Sequence, residues 1–331
     1  MFTIRTAPLA AVTLLALAGT VAPPANAAST TFDYSVDPKD APDVYRDIPG
    51  TEITFDAKAG DRSYLWSRNL TASSLTPLAL HENIGHTFAV RCANADGTAF
   101  PESTEAGAYW AANLTPPAEK SLNPGIRWMF TAPHDGAFTC RLSVVAYSTV
   151  VDGGKPVTMR IAAGAELGRL PVPSDSGARW TLPKESGRTV TAGTTASTLG
   201  YTLTPRPDRD LTIVQDANLS TCTAKSALCG GGTAAHKGTR AETWIEARPQ
   251  NADGTDCGAL VKGPVAKWNI TDDRHHQTAT NTLTLTPEQA AGCARIRTTL
   301  KVANTEGNPV LIHAGLASNG IAATHGTAFS R

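Results

Sequence analysis

Surplus charge of either sign is missing from this 331-residue chain: 29 Lys and Arg meet 29 Asp and Glu, and no run of basic residues occurs. Phosphate backbones and anionic membrane surfaces both select a basic surplus, so nucleic acid and a polybasic membrane contact are excluded as partners. Past residue 27 no hydrophobic stretch reaches spanning length, which takes about 18 residues or more. Cys-x-x-Cys is absent, the nearest pair, Cys222 and Cys229, having six residues between them; zinc-ligand and thioredoxin-like spacings are therefore lost. No P-loop, Gly-x-Ser-x-Gly or dinucleotide fingerprint is present. Only 18% of residues are charged and 6% aromatic, yet 41% are apolar, enough to bury a core. Global disorder is excluded on that ground.

The first thirty residues carry an address. Arg5 is the only charge before Asp33; an apolar stretch from Ala7 to Val21 follows, then Pro23, Pro24 and Ala25-Asn26-Ala27. This order is that of a secretory signal peptide cleaved after Ala27. Pro8, Thr13 and Thr20 interrupt the run, against an uncleaved anchor. Removing residues 1–27 removes Arg5 alone and leaves a net charge of −1. Six cysteines in an exported chain then predict three disulfides, with 15 pairings open to them.

The remainder reads as one domain written twice. Asn94-Ala-Asp-Gly-Thr98 recurs as Asn251-Ala-Asp-Gly-Thr255. Trp110 with Asn113-Leu-Thr lies downstream of the first copy, Trp268 with Asn269-Ile-Thr downstream of the second, and Asn69-Leu-Thr upstream is echoed by Asn218-Leu-Ser. Cys140 trails Asn94 by 46 positions and Cys293 trails Asn251 by 42. Each copy closes on a Pro-Val strand and a Gly, Pro156-Val157 to Gly164 and Pro309-Val310 to Gly315. The duplication selects a pairing: Cys92–Cys140, Cys257–Cys293, and Cys222–Cys229 closing a small loop inserted in the second copy.

Alternation predicts strands almost throughout. Phe88, Val90 and Cys92; Cys140, Leu142, Val144 and Ala146; Val157, Met159 and Ile161; Leu199, Tyr201 and Leu203; and Ile296, Thr298, Leu300 and Val302 each mark one face of a strand. Asp96-Gly97 and Asp253-Gly254 sit where hairpins need residues tolerant of positive φ. Thr286-Pro-Glu-Gln-Ala-Ala291 is one helical turn, stopped by Gly292. The expected fold is all-β: two tandem, disulfide-stabilised β-sandwiches, Ig-like or jelly-roll-like. The expected divisions are a signal peptide (1–27), an extended N-terminal segment (28–50) outside the repeat, a first sandwich (51–168), a linker (169–177) and a second sandwich (178–331).

Candidate active sites are near misses, and no catalytic residue, metal or cofactor is expected. His81-Glu-Asn-Ile-Gly-His86 resembles the zincin H-E-x-x-H, but the second His comes one residue late. On a helix that spacing turns the imidazoles about 140° apart. Ser174-Asp-Ser-Gly177 and Thr233-Ala-Ala-His236 resemble protease fragments in reversed order. Asp272-Asp-Arg-His-His276 is a weak cation candidate, outweighed by a solvated loop. Glycosidic carboxylate pairs are not flagged by any context. The four Asn-x-Ser/Thr sites (Asn69, Asn113, Asn218, Asn269) read as inherited turn chemistry, and the paired Trp residues as core plugs more than sugar platforms.

Phe32, Tyr34 and Val36 alternate with polar residues in the N-terminal segment before Pro38 breaks the pattern. They suit a strand that docks into a partner, one belonging to the chain's own sandwich, or a frayed, disordered end. The organisation as a whole resembles the adaptor subunit of umbrella toxin particles, secreted antibacterial assemblies, through the signal peptide, the extended Ala28–Gly50 segment and the two copies, and through no residue motif. That resemblance implies a secreted, non-catalytic protein bridging other secreted proteins. The alternatives are a carbohydrate-binding pair, requiring Trp110 and Trp268 or Trp128 and Trp244 on open faces, and an extracellular protease inhibitor using the Cys222–Cys229 loop.

Overall fold

The structure, a computed structural model, describes residues 30–36, 45–79, 82–98, 109–114, 120–148, 155–183, 186–222, 238–272, 276–314 and 324–331. Alternating residues fold the first half into β1 (Phe32–Val36), β2 (Arg46–Asp47), β3 (Ile53–Ala57), β4 (Arg62–Arg68), β5 (Ala72–Ser74) and β6 (Ile84–Asn94). They continue into β7 (Tyr109–Leu114), β8 (Ser121–Leu122), β9 (Arg127–Thr131), β10 (Gly136–Ser148), β11 (Val157–Ile161) and β12 (Glu166–Val172). The second half holds β13 (Gly177–Thr181), β14 (Arg188–Val190), β15 (Thr194–Leu203), β16 (Leu211–Thr221), β17 (Gly238–Gln250) and β18 (Val261–Lys262). It ends with β19 (Ala266–Thr271), β20 (His276–Leu285), β21 (Arg295–Gly307), β22 (Val310–Ile312) and β23 (His325–Ser330). A 3₁₀ turn, Pro287–Ala290, sits at the predicted helical turn, and Gly292 follows it at φ 75°.

The chain is all-β and built as two sandwiches. Phe88, Val90, Leu142, Val144, Met159 and Leu65 fill the first core. Ile213, Ile245, Leu283, Leu300 and Val302 fill the second. The duplication extends to the strand pairing. In the first half β1 pairs β11, β11 pairs β5, and β12 pairs β4. Further pairs there are β4–β9, β3–β10, β10–β6 and β6–β7. The second half repeats this with β14–β22, β22–β16, β23–β16 and β16–β20. It completes the set with β15–β21, β21–β17 and β17–β19. The single long β16 replaces β4 and β5 together; Asn69, at φ 50°, splits the first-copy strand where Asn218 stays extended.

Three expectations are corrected by this pairing. The 28–50 segment belongs to the repeat: β1 is the counterpart of β14, and β2 continues the edge of β10 alongside β3 much as β15 runs along β21. The sequence Arg188-Thr-Val190 is too short to show that relation by periodicity. The stretch 169–177 is not all linker, because β12 runs to Val172 against β4 and β13 begins at Gly177. Turn chemistry accounts for Asn69 but not for Asn218, which is buried inside a strand.

The halves are joined by more than a turn. Gln277 of β20 bridges Ala112 of β7, so one sheet runs from β13 through β16 and β20 into β7, β6 and β10. Tyr64, Met129 and Val172 of the first half pack with Phe329 of the second, the Tyr64 and Phe329 rings lying 4.6 Å apart. Strand β16 is buried at every one of its 11 positions. Leu211, Ile213, Ala217 and Leu219 enter the second core. On the opposite face Asp216 meets His325 Nε2 at 3.3 Å, and that nitrogen is 3.4 Å from the Arg127 carbonyl of the first half. The first sandwich thus covers the back of the second.

Candidate functional site

The predicted site residues fall mostly into structural roles. Strand β1 is hydrogen-bonded to β11, with Tyr34 opposite Met159 and Val36 opposite Val157. Tyr34 and Val36 are buried in the first core and Phe32 packs against it, stacked on Tyr34. Burial raises the Tyr34 hydroxyl above its ordinary range, against the opposing pull of Arg46. A partner-docking role for Phe32, Tyr34 and Val36 is corrected accordingly: alternation gave a strand, and the chain's own sheet takes its apolar face.

Cys92 and Cys140 lie directly opposite in the β6–β10 pair and are bonded, as are Cys257 and Cys293. Cys222 also lies in a disulfide, and Cys229, the partner expected for it, is outside the described residues. Both bridges act beside the duplicated turns. In each turn the Asp side chain accepts from the Thr backbone N–H at 2.9 Å and from its hydroxyl at 2.7 Å. Asn donates to that same hydroxyl, and Gly97 and Gly254 take φ 86° and 88°. Cation chemistry is not needed to explain these carboxylates.

His86 is fully buried, stacked on Phe88, with Nδ1 3.2 Å from the Ile84 carbonyl. That contact puts the proton on Nδ1 and leaves Nε2 without a hydrogen-bond partner. Burial pushes the imidazole down to about 4, only partly opposed by the Ile84 contact. His81, Thr233 to His236 and residues 273–275 are outside the described residues. Ser174 to Ser176 form the turn between β12 and β13, where Asp175 pairs with Arg206 and Ser176. Of the tryptophans, Trp110, Trp128 and Trp180 are buried, so the first sandwich does not offer the open Trp110 or Trp128 ring that the sugar-platform reading requires.

Trp244 is different. It stands on the outward face of β17, half-buried, in register with Lys301 of β21. Lys262 places its ammonium 4.4 Å over the ring, and Trp244 Nε1 donates to Glu246 at 3.0 Å. Burial alone pushes the Glu246 carboxyl up; the Trp244 hydrogen bond, Lys301 at 3.2 Å and Lys262 outweigh it and hold the group below its ordinary value. Beside this cluster opens a cleft of about 320 Å³ lined by Glu246, Arg248, Asp256, Leu260, Arg297 and Thr299, together with Gln250. Arg248 is paired to Asp256 at 3.2 Å, whereas Arg297 has no carboxylate partner among the described residues. Leu260 and Val265, 40% and 39% exposed, flank the two-residue edge strand β18. A clamped indole, an unpaired guanidinium and exposed aliphatic side chains thus share one face. Interface centres favour Trp and Arg in this way. Sequence reasoning named Trp244 but missed Arg297 and Leu260, which the β17–β21 register and the Asn251–Thr255 hairpin bring to it.

No family model and no curated protein matches the chain. It is similar at 11% identity to PNGase F, a glycosylasparaginase from Flavobacterium meningosepticum, over 91% of this chain and 96% of that one, with a TM-score of 0.33. It is similar to a structure of the infectious bursal disease virus Gx strain at 11% identity and TM-score 0.28, over 91% of this chain and 75% of that one. A CBM22 tandem domain of Paenibacillus barcinonensis Xyn10C gives 8% identity and TM-score 0.24, over 82% of each chain. Likenesses this distant add nothing to the reading of function.

Proposed function

We propose that the protein is a secreted, non-catalytic binding protein that engages other secreted proteins through the open face of its second sandwich, in the adaptor role that its organisation suggests. The observation that carries this reading is the Trp244–Lys262–Glu246 cluster beside Arg297. Its indole is held rigid at little entropic cost to binding, and its guanidinium is free to take a partner's carboxylate. Secretion is part of the proposal and rests on the residues 1–27 pattern and on the disulfides.

The test is native size-exclusion with mass spectrometry on the producer's culture supernatant, following the mature chain. The expected result is elution in a larger species with defined secreted partners, lost in Arg297→Glu and Trp244→Ala while the variants remain folded. A monomer in every fraction overturns the reading. A monomer that binds a defined glycan through Trp244 supports the carbohydrate alternative instead.

A further inference from the structure

A second polar constellation lies away from that face, where β16, β20 and β22 meet. Ser220 stands directly opposite His276 in the β16–β20 pair, and β22 ends just before His313, whose backbone N–H donates to the Asn218 carbonyl at 2.9 Å. Two imidazoles therefore converge on one hydroxyl: Ser220 Oγ is 2.6 Å from His276 Nδ1 and 2.6 Å from His313 Nε2. The ring centroids are 5.5 Å apart and their planes meet at 43°. Ser220 and His276 are buried, while His313 is half-buried and gives the cluster a route to solvent.

A hydroxyl has one hydrogen to give. It satisfies one of these nitrogens as acceptor, and the other must present its own N–H to the oxygen. The first copy has no imidazole at the place of His313: there Ala162 donates its backbone N–H to the Thr71 carbonyl at 2.9 Å, as His313 does to Asn218. The pair of rings is thus an addition of the second copy, on strands whose register fixes it.

We propose that His276 and His313 form a site for a borderline divalent transition metal ion, Zn²⁺ in the first instance, with Ser220 Oγ as the neighbouring oxygen donor. Both nitrogens stand within 2.6 Å of one atom, so they are at most twice that distance apart. Two nitrogens on one tetrahedral zinc, each bonded at about 2.0–2.1 Å, are separated by about 3.3 Å. Coordination brings the two nitrogens to that separation and lengthens each 2.6 Å contact with Ser220 Oγ to about the same value, turning the hydroxyl from hydrogen-bond partner into neighbouring oxygen donor. Binding moves the inward proton to the other nitrogen of its ring, so both neutral imidazoles offer a lone pair. Imidazole prefers Zn²⁺, Cu²⁺ and Ni²⁺ to the hard cations Mg²⁺ and Ca²⁺.

Calorimetric titration of the chelator-treated, disulfide-intact protein with zinc alone tests this. One equivalent is expected to bind, with no response to magnesium. His276→Gln and His313→Gln are each expected to lower the affinity at least tenfold. With Cu²⁺ as probe, electron paramagnetic resonance is expected to show two imidazole nitrogens in the wild type and one in either variant. His313 is half-buried, so His313→Gln decides the matter if His276→Gln fails to fold. Absence of saturable one-to-one zinc binding, or binding and spectra unchanged in His313→Gln, overturns the proposal.

Discussion

His86 shows how one residue ties the fold to pH. Its imidazole is neutral in the folded protein because it is walled in beside Phe88, with a depressed pKa of about 4 against an ordinary value of 6.5. Between those values the unfolded chain binds a proton that the folded one refuses, so stability falls as pH drops from 6.5 toward 4. The gap corresponds to about 3 kcal/mol at full effect. Denaturant melts across that window are expected to show the loss, and His86→Leu to flatten it. At the same scale, the sequence presented His86 as half of a broken zinc motif. What it could not present was the apolar wall that makes a zinc ligand's chemistry irrelevant there. Trp244, by contrast, was legible as a candidate, but whether its ring faced the core was not, because alternation fixes two faces without saying which is wet.

Among the elements, strands were readable wherever apolar and polar residues alternate over several positions, as in β6, β10, β11 and β21. Two elements were not. Strand β14 has three residues, too few for a period, and β16 reads as mixed polar because it is buried on both faces by different partners. Strand β1 was legible as a strand, but its partner was not, since an exchangeable edge and a resident edge have the same pattern; its pairing with β11 selects the resident alternative. Residence makes a clear prediction. Tyr34 is buried in the first core, so Tyr34→Ala is expected to cost about 3–5 kcal/mol, as aromatic truncations in cores do. Thermal melts of that variant, and of a chain starting after Val36, should show the loss in the isolated protein. An unchanged melting temperature would return β1 to the role of a docking tail. The Asp33–Arg160 pair, on the solvent face of this strand and β11, is exposed and is expected to matter little.

In the whole molecule, duplication made two sandwiches and packing made them one body. The repeated turn and the cysteine order carried the duplication openly. The joint between copies did not, because Tyr64, Met129, Val172 and Phe329 come from four strands with no shared signal. With the back of β16 covered by the first half, the two sandwiches are expected to unfold in a single calorimetric transition. Phe329→Ala removes the centre of the joint; it should lower stability by about 3–5 kcal/mol and split the transition into two. Two transitions already in the wild type would show the joint to be weak.

The same arrangement leaves the β15–β21–β17–β18 face open, the surface through which partners are proposed to bind. The most direct measurement is covalent footprinting of the assembled and the isolated protein, reading amine labelling at lysines and oxidation at tryptophan. On assembly Lys262, Lys301 and Trp244 are expected to lose reactivity, while Lys58 and Lys155 on the first sandwich keep theirs. Unchanged labelling at Trp244 and Lys262, with protection around β1 instead, would contradict the account.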